Sequence, residues 1–110
     1  MDYRKPTKDE EELIQLLVDG SSLIFPADWK DGLLVYPMKD GGMGSLLLIP
    51  KEALTQDRKF GRQVAEYHFK DRDGIEVIVS LNVDKSDKLF ELDIWKTDYS
   101  KLIDISMFKQ

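Results

Sequence analysis

Three stretches in the C-terminal half alternate apolar and polar side chains: residues 62–70, 75–83 and 89–96. A period of two marks a strand with one buried face, and it leaves little freedom of register. The first connection is Asp71-Arg72-Asp73-Gly74. A three-residue loop of Arg72, Asp73 and left-handed Gly74 sets Asp71 opposite Ile75. Phe69 then meets Val77, Tyr67 meets Val79 and Ala65 meets Leu81. A loop one residue shorter or longer would set Phe69 against Glu76 or Ile78, on the wrong face. A two-residue turn at Ser86-Asp87 pairs Val83 with Phe90, Leu81 with Leu92 and Val79 with Ile94. The predicted core face is therefore Ala65, Tyr67, Phe69, Val77, Val79, Leu81, Val83, Phe90, Leu92 and Ile94.

The same register fixes the other face in three rows: His68, Ile78, Trp95; Glu66, Ser80, Asp93; and Val64, Asn82, Glu91. The stretch FELDIWK thus carries a tryptophan on its charged side. An antiparallel sheet often keeps one face wet, and Trp beside Ile is a stabilising cross-strand pair. Against that stands a recognition surface, since Trp is enriched at binding hot spots and polar residues rim them. The candidate binding residues are Trp95, Ile78, His68, Glu66, Asp93, Glu91 and Asn82. A homodimer patch of Trp95, Ile78 and Val64 is a further expectation.

Chemistry on this face is thin. Glu66 and Asp93 flank Ser80 two strand spacings apart, about 10 Å, which is wide for a carboxylate pair sharing one reacting bond. A small-molecule site or enzyme using Glu66, His68, Ser80 and Asp93 is the alternative function. No catalytic residue is assigned. The chain has one histidine and no cysteine, so a disulfide and a thiolate metal site are excluded. No cofactor is implied.

The N-terminal half supplies the cover. Thr7-Lys8-Asp9-Glu10 has capping-box spacing, and Leu13, Ile14, Leu16, Leu17 and Val18 form an apolar stripe ending at Gly20, a natural left-handed stop. These predict a helix over residues 8–19. Residues 21–32 read as irregular, with Leu23, Ile24 and Phe25 packed down. Leu33-Leu34-Val35-Tyr36 and Ser45-Leu46-Leu47-Leu48-Ile49 flank a glycine-rich connection and predict a hairpin. Neither run alternates, so both faces should be covered. In the connection, Asp40-Gly41-Gly42-Met43-Gly44-Ser45 can offer amides to an anion, but no Gly-Lys-Ser/Thr follows and a hairpin turn is the simpler reading. Pro50-Lys51-Glu52-Ala53-Leu54 can begin a short helix that ends near Asp57–Gly61. The tail 101–110 reads as a strand, a turn or a contact surface. The fold expected is α+β in one domain: an N-terminal amphipathic helix packed on an antiparallel sheet of about five strands, with a C-terminal β-meander.

The chain has 110 residues and a formal net charge of −5. Lys and Arg are scattered among more numerous acids, so nucleic-acid binding is not expected. No apolar run approaches the ~20 residues that span a bilayer, and MDYRKPTKDEEE lacks the apolar region of a signal peptide. A cytoplasmic protein without a membrane partner is expected.

DGGMGS (residues 40–45), FKDRDG (residues 69–74), LNVD (residues 81–84) and LFELDIWKTDYS (residues 89–100), with the capped first helix, resemble a group of small single-domain bacterial proteins known only as a domain of unknown function. That resemblance implies no activity. It implies that DGGMGS and ELDIWKTD belong to one fold. A looser likeness, in size and acidity, is to immunity proteins that neutralise toxins between competing bacteria. The function expected is a protein-interaction module, immunity-like, binding a protein partner through the face around Trp95.

Overall fold

The computed structural model describes residues 3–53 and 57–110. Helix α1 (Lys8–Asp19) begins as its sequence dictates. The Thr7 hydroxyl accepts from the Glu10 amide (3.2 Å), and the Glu10 carboxylate accepts from the Thr7 amide (2.8 Å). Arg4 clamps the same carboxylate with two bonds of 2.8 and 2.9 Å. The helix stops at Gly20, but at φ −93°, so the expected left-handed cap does not form. Leu13, Ile14 and Leu17 are buried against the sheet.

Five strands follow: β1 (Leu34–Pro37), β2 (Leu46–Ile49), β3 (Phe60–Lys70), β4 (Glu76–Asp84) and β5 (Leu89–Lys96). They form one antiparallel sheet in the order β1-β2-β5-β4-β3, so the first hairpin docks on the last strand of the meander. The fold is α+β, with α1 packed on the sheet, over β3 and β4. Ahead of the helix, Arg4 bridges to Val35 of β1: Arg4 N donates to the Val35 carbonyl (3.0 Å) and Val35 N to the Arg4 carbonyl (2.7 Å). No helix of the described residues is long and apolar enough to cross a membrane.

The β3–β4 register is the predicted one from Ala65–Leu81 to Phe69–Val77, closed by Asp71 N donating to the Ile75 carbonyl (3.0 Å) and by left-handed Gly74. Two local departures follow from bulges. The β4–β5 turn holds three residues, not two: Asp84 N donates to the Lys88 carbonyl (2.8 Å) and Asp87 takes φ 63°. Val83 therefore pairs with Leu89, and Phe90 becomes the extra residue before Asn82–Glu91. Leu89 takes the inward place expected for Phe90, which lies half-buried under the Arg58 guanidinium, 5.1 Å from its ring centroid. A second bulge lets Gln63 pair with Asn82 and turns Val64 into the core. Val64 thus leaves the outer face on which it was expected.

Elsewhere Ile24 is fully exposed rather than packed down, while Trp29 joins the core and donates to Gln15 (3.2 Å). Lys51–Ala53 makes one 3-10 turn, and Leu54 lies outside the described residues. β3 begins at Phe60, so the expected helix does not run to Gly61. The tail forms a 3-10 helix (Ile105–Lys109) whose Phe108 packs edge-on against Phe69, 6.5 Å between centroids.

Candidate interaction face

Two of the three predicted rows form as expected. His68, Ile78 and Trp95 are cross-strand neighbours, as are Glu66, Ser80 and Asp93. The third row is Gln63, Asn82 and Glu91, extended onto β2 by Leu47. With Val64 buried, the dimer patch of Trp95, Ile78 and Val64 loses one member. Trp95 is 42% exposed, and its ring lies 5.9 Å from that of Tyr99, tilted by 55°. Sequence reasoning missed Tyr99. It is placed by a turn in which its amide donates to the Lys96 carbonyl (2.8 Å) and its φ is 63°. That conformation is unfavourable by about 1–2 kcal/mol for a residue with a Cβ. His68 Nε2 lies 2.8 Å from Glu66, and its Nδ1 lies 3.6 Å from Glu76.

The centre of the face is electrostatically uncomfortable. Burial raises the carboxyl pKa of Glu91, and the charge of Asp93 adds to it. Burial likewise raises Asp93, helped by the charge of Asp40, although Asn82 Nδ2 donates to it at 3.0 Å. Asp40 is different. Burial works against its charged form too, but the Ser45 side chain together with the amides of Ser45 (2.8 Å) and Met43 (3.0 Å) outweighs it and holds the carboxyl below its usual range. The glycine-rich loop therefore encloses an anion of its own, and the amides of Met43 and Ser45 are engaged by Asp40.

The motif segments meet just beneath this face. The Ser45 hydroxyl accepts from the Ile94 amide (2.8 Å) and lies 3.2 Å from its carbonyl, and Met43 sulfur accepts from the Lys96 amide (3.4 Å). Lys96 follows Trp95 but points inward and is fully buried. Its ammonium donates to Asp71 (2.8 Å), Asp73 (2.6 Å) and the Lys101 carbonyl (3.2 Å). Asp71 also accepts from the amides of Ile103 (2.7 Å) and Asp104 (3.0 Å). Burial works against the Lys96 ammonium, but the two carboxylates outweigh it and raise its pKa. DGGMGS, FKDRDG and ELDIWK are thus joined through one buried polar knot. It holds residues 95 and 96 with the indole outward and the ammonium inward.

The larger clefts lie elsewhere. One of about 480 Å³ is lined by Asp57, Arg58, Lys59, Asp84, Lys85 and Ser86, beside the β4–β5 turn. There Arg58 is committed to Asp84 (3.2 Å) and the Leu89 carbonyl (2.7 Å). Another, of about 390 Å³, lies between the N-terminal lead and the residues before β1. Neither includes Glu66, His68, Ser80 or Asp93. Among the described residues no group of three or more His, Asp or Glu is arranged to hold a metal.

Residues 3–106 match a family described as a domain of unknown function (DUF6984). The match covers nearly the whole sequence, and the chain belongs to that family. No curated protein and no solved structure matches it.

Proposed function

Starting from a family that carries no assigned activity, we propose that this chain is a protein-interaction module whose partner docks on the sheet face around Trp95. One observation carries the reading. An indole 42% exposed lies in ring contact with Tyr99, beside Ile78, with Asp93 and Ser80 in the next row and Glu91 in the row beyond; Asn82, opposite Glu91, is buried and lies beneath this surface. An aromatic centre with a polar rim is the make-up of an interface hot spot. The charges favour a basic partner. Burial disfavours the charged forms of both Glu91 and Asp93, Asp93 adds to the cost at Glu91 and Asp40 to that at Asp93, and an incoming cation would relieve it. An immunity-like role, in which the chain covers the basic surface of a toxin, fits the net charge of −5. The alternative, a small-molecule site on Glu66, His68, Ser80 and Asp93, has less support, since the larger clefts lie away from those residues.

The test is capture from native lysate with a photo-cross-linker at Ser80, comparing the parent with Trp95→Ala. A cross-linked partner with a basic contact surface, bound roughly 30-fold more weakly by the folded variant, supports the reading. A variant that keeps its fold and retains every partner at full affinity overturns it.

A further inference from the structure

The sheet ends at β3 on one side. Asp71 N donates to the Ile75 carbonyl, so the odd-numbered residues of β3 bond to β4. The far side of β4 agrees, because the Glu76 carbonyl accepts from Thr97 after β5 (3.0 Å). Alternation then aims the amides and carbonyls of Glu66, His68 and Lys70 away from the sheet. The outer carbonyl of Val64 is already taken by the Ser22 amide (3.0 Å). Residues 66–70 therefore present a row of outward donors and acceptors, with all three even-numbered side chains exposed.

We propose that this edge pairs with the same edge of a second copy of the chain, antiparallel about a two-fold axis at His68. The charges select the register. Outward groups sit on even-numbered residues, so even must pair with even. An axis at Glu66 or Lys70 sets like charges face to face. An axis at Phe69 sets His68 against Lys70 and leaves Glu66 facing Arg72, which lies in the turn beyond the end of β3, and one at Tyr67 sets Lys70 against Val64, whose carbonyl is occupied. An axis at His68 sets Glu66 opposite Lys70 of the second copy, twice, and each backbone pair exchanges two bonds. The ladder is short, so the association is concentration-dependent. It joins the two rows end to end as Trp95, Ile78, His68, His68, Ile78, Trp95, with the indoles about 24 Å apart, five strand spacings. A partner with two suitable sites would then bind with avidity. The pairing itself does not depend on what Trp95 binds.

Sedimentation velocity over a rising concentration series tests it, on the parent, Lys70→Glu, Glu66→Lys and the double variant, with circular dichroism as the fold control. The parent is expected to move toward twice the monomer mass. Each single reversal sets like charges opposite and weakens association about tenfold, and the double reversal restores it. If a reversal disturbs the fold, Glu66→Gln and Lys70→Gln carry the comparison, with a loss of about threefold. A parent that stays monomeric throughout, singles that associate like the parent, or a double no better than the singles overturns the proposal.

Discussion

Asp71 is the residue on which the polar interior turns. Its side chain is fully buried, bonded to Lys96 and to the amides of Ile103, Asp104 and Arg72. Asp71→Asn leaves a buried ammonium short of a charge partner, and urea denaturation should show a loss of about 3–5 kcal/mol. Acid should act on the same bond. Burial alone would raise this carboxyl, but Lys96 and the amides reverse the balance and hold it down to about 2. A depressed carboxyl stabilises above its unfolded value, near ~3.9, and loses that contribution as pH falls toward about 2; it amounts to about 2 kcal/mol. Melting curves between pH 5 and pH 2, flatter in Asp71→Asn than in the parent, would show this. Glu91 has the opposite sign. Its raised pKa means the charged form is disfavoured in the fold, a penalty present above the folded value and relieved in acid. Glu91→Gln should therefore stabilise the fold slightly at pH 7, by roughly 0.5 kcal/mol or less at this half-exposed site, read as a small rise in melting temperature, and the gain should vanish at low pH. Of this pattern the sequence carried one overlooked signal: Lys96 shares the parity of Leu92 and Ile94, so the alternation itself put a charge indoors.

Among the elements, the strands were most legible where side chains on both partners alternate. Ala65, Tyr67 and Phe69 meet Leu81, Val79 and Val77 as the pattern demands. It failed where one residue is inserted. Two-residue and three-residue turns at Asp84–Lys88 differ by a single slip, and a bulge at Phe90 absorbs the slip without misplacing Leu92. Nothing in the alternation distinguishes Phe90 from Leu89 as the inward side chain. Val64 was misplaced for the same reason. Of the outer face, the rows through Ile78 and Ser80 were legible because they lie clear of both bulges. Tyr99 was not, because its position depends on a left-handed turn beyond the strand. Tyr99→Gly should relieve that backbone and gain about 1 kcal/mol in thermal unfolding, while removing the ring that supports Trp95 and weakening partner binding. At the start of β3 the constraint is tighter still. A Cβ on Gly61 would lie 2.4 Å from the Asp84 carbonyl oxygen. Gly61→Ala should cost about 1–3 kcal/mol, read from the urea midpoint.

At the scale of the molecule, the ends of the chain help to hold the layers together. Phe108 is buried against Phe69, Lys109 pairs with Asp9 and Glu12 of α1, and Asp71 holds the backbone between. Phe108→Ala should therefore destabilise the whole domain by about 3 kcal/mol in one cooperative transition, rather than fraying the tail alone. The lead-in does a different job at the other end of the sheet. Because Arg4 spends its amide and carbonyl on Val35, the margin of the sheet at β1 already carries a short piece of its own chain. A copy arriving there would find that position filled, so the pairing proposed at the β3 edge would have one way in and no way on: it would stop at a pair instead of growing into a fibre.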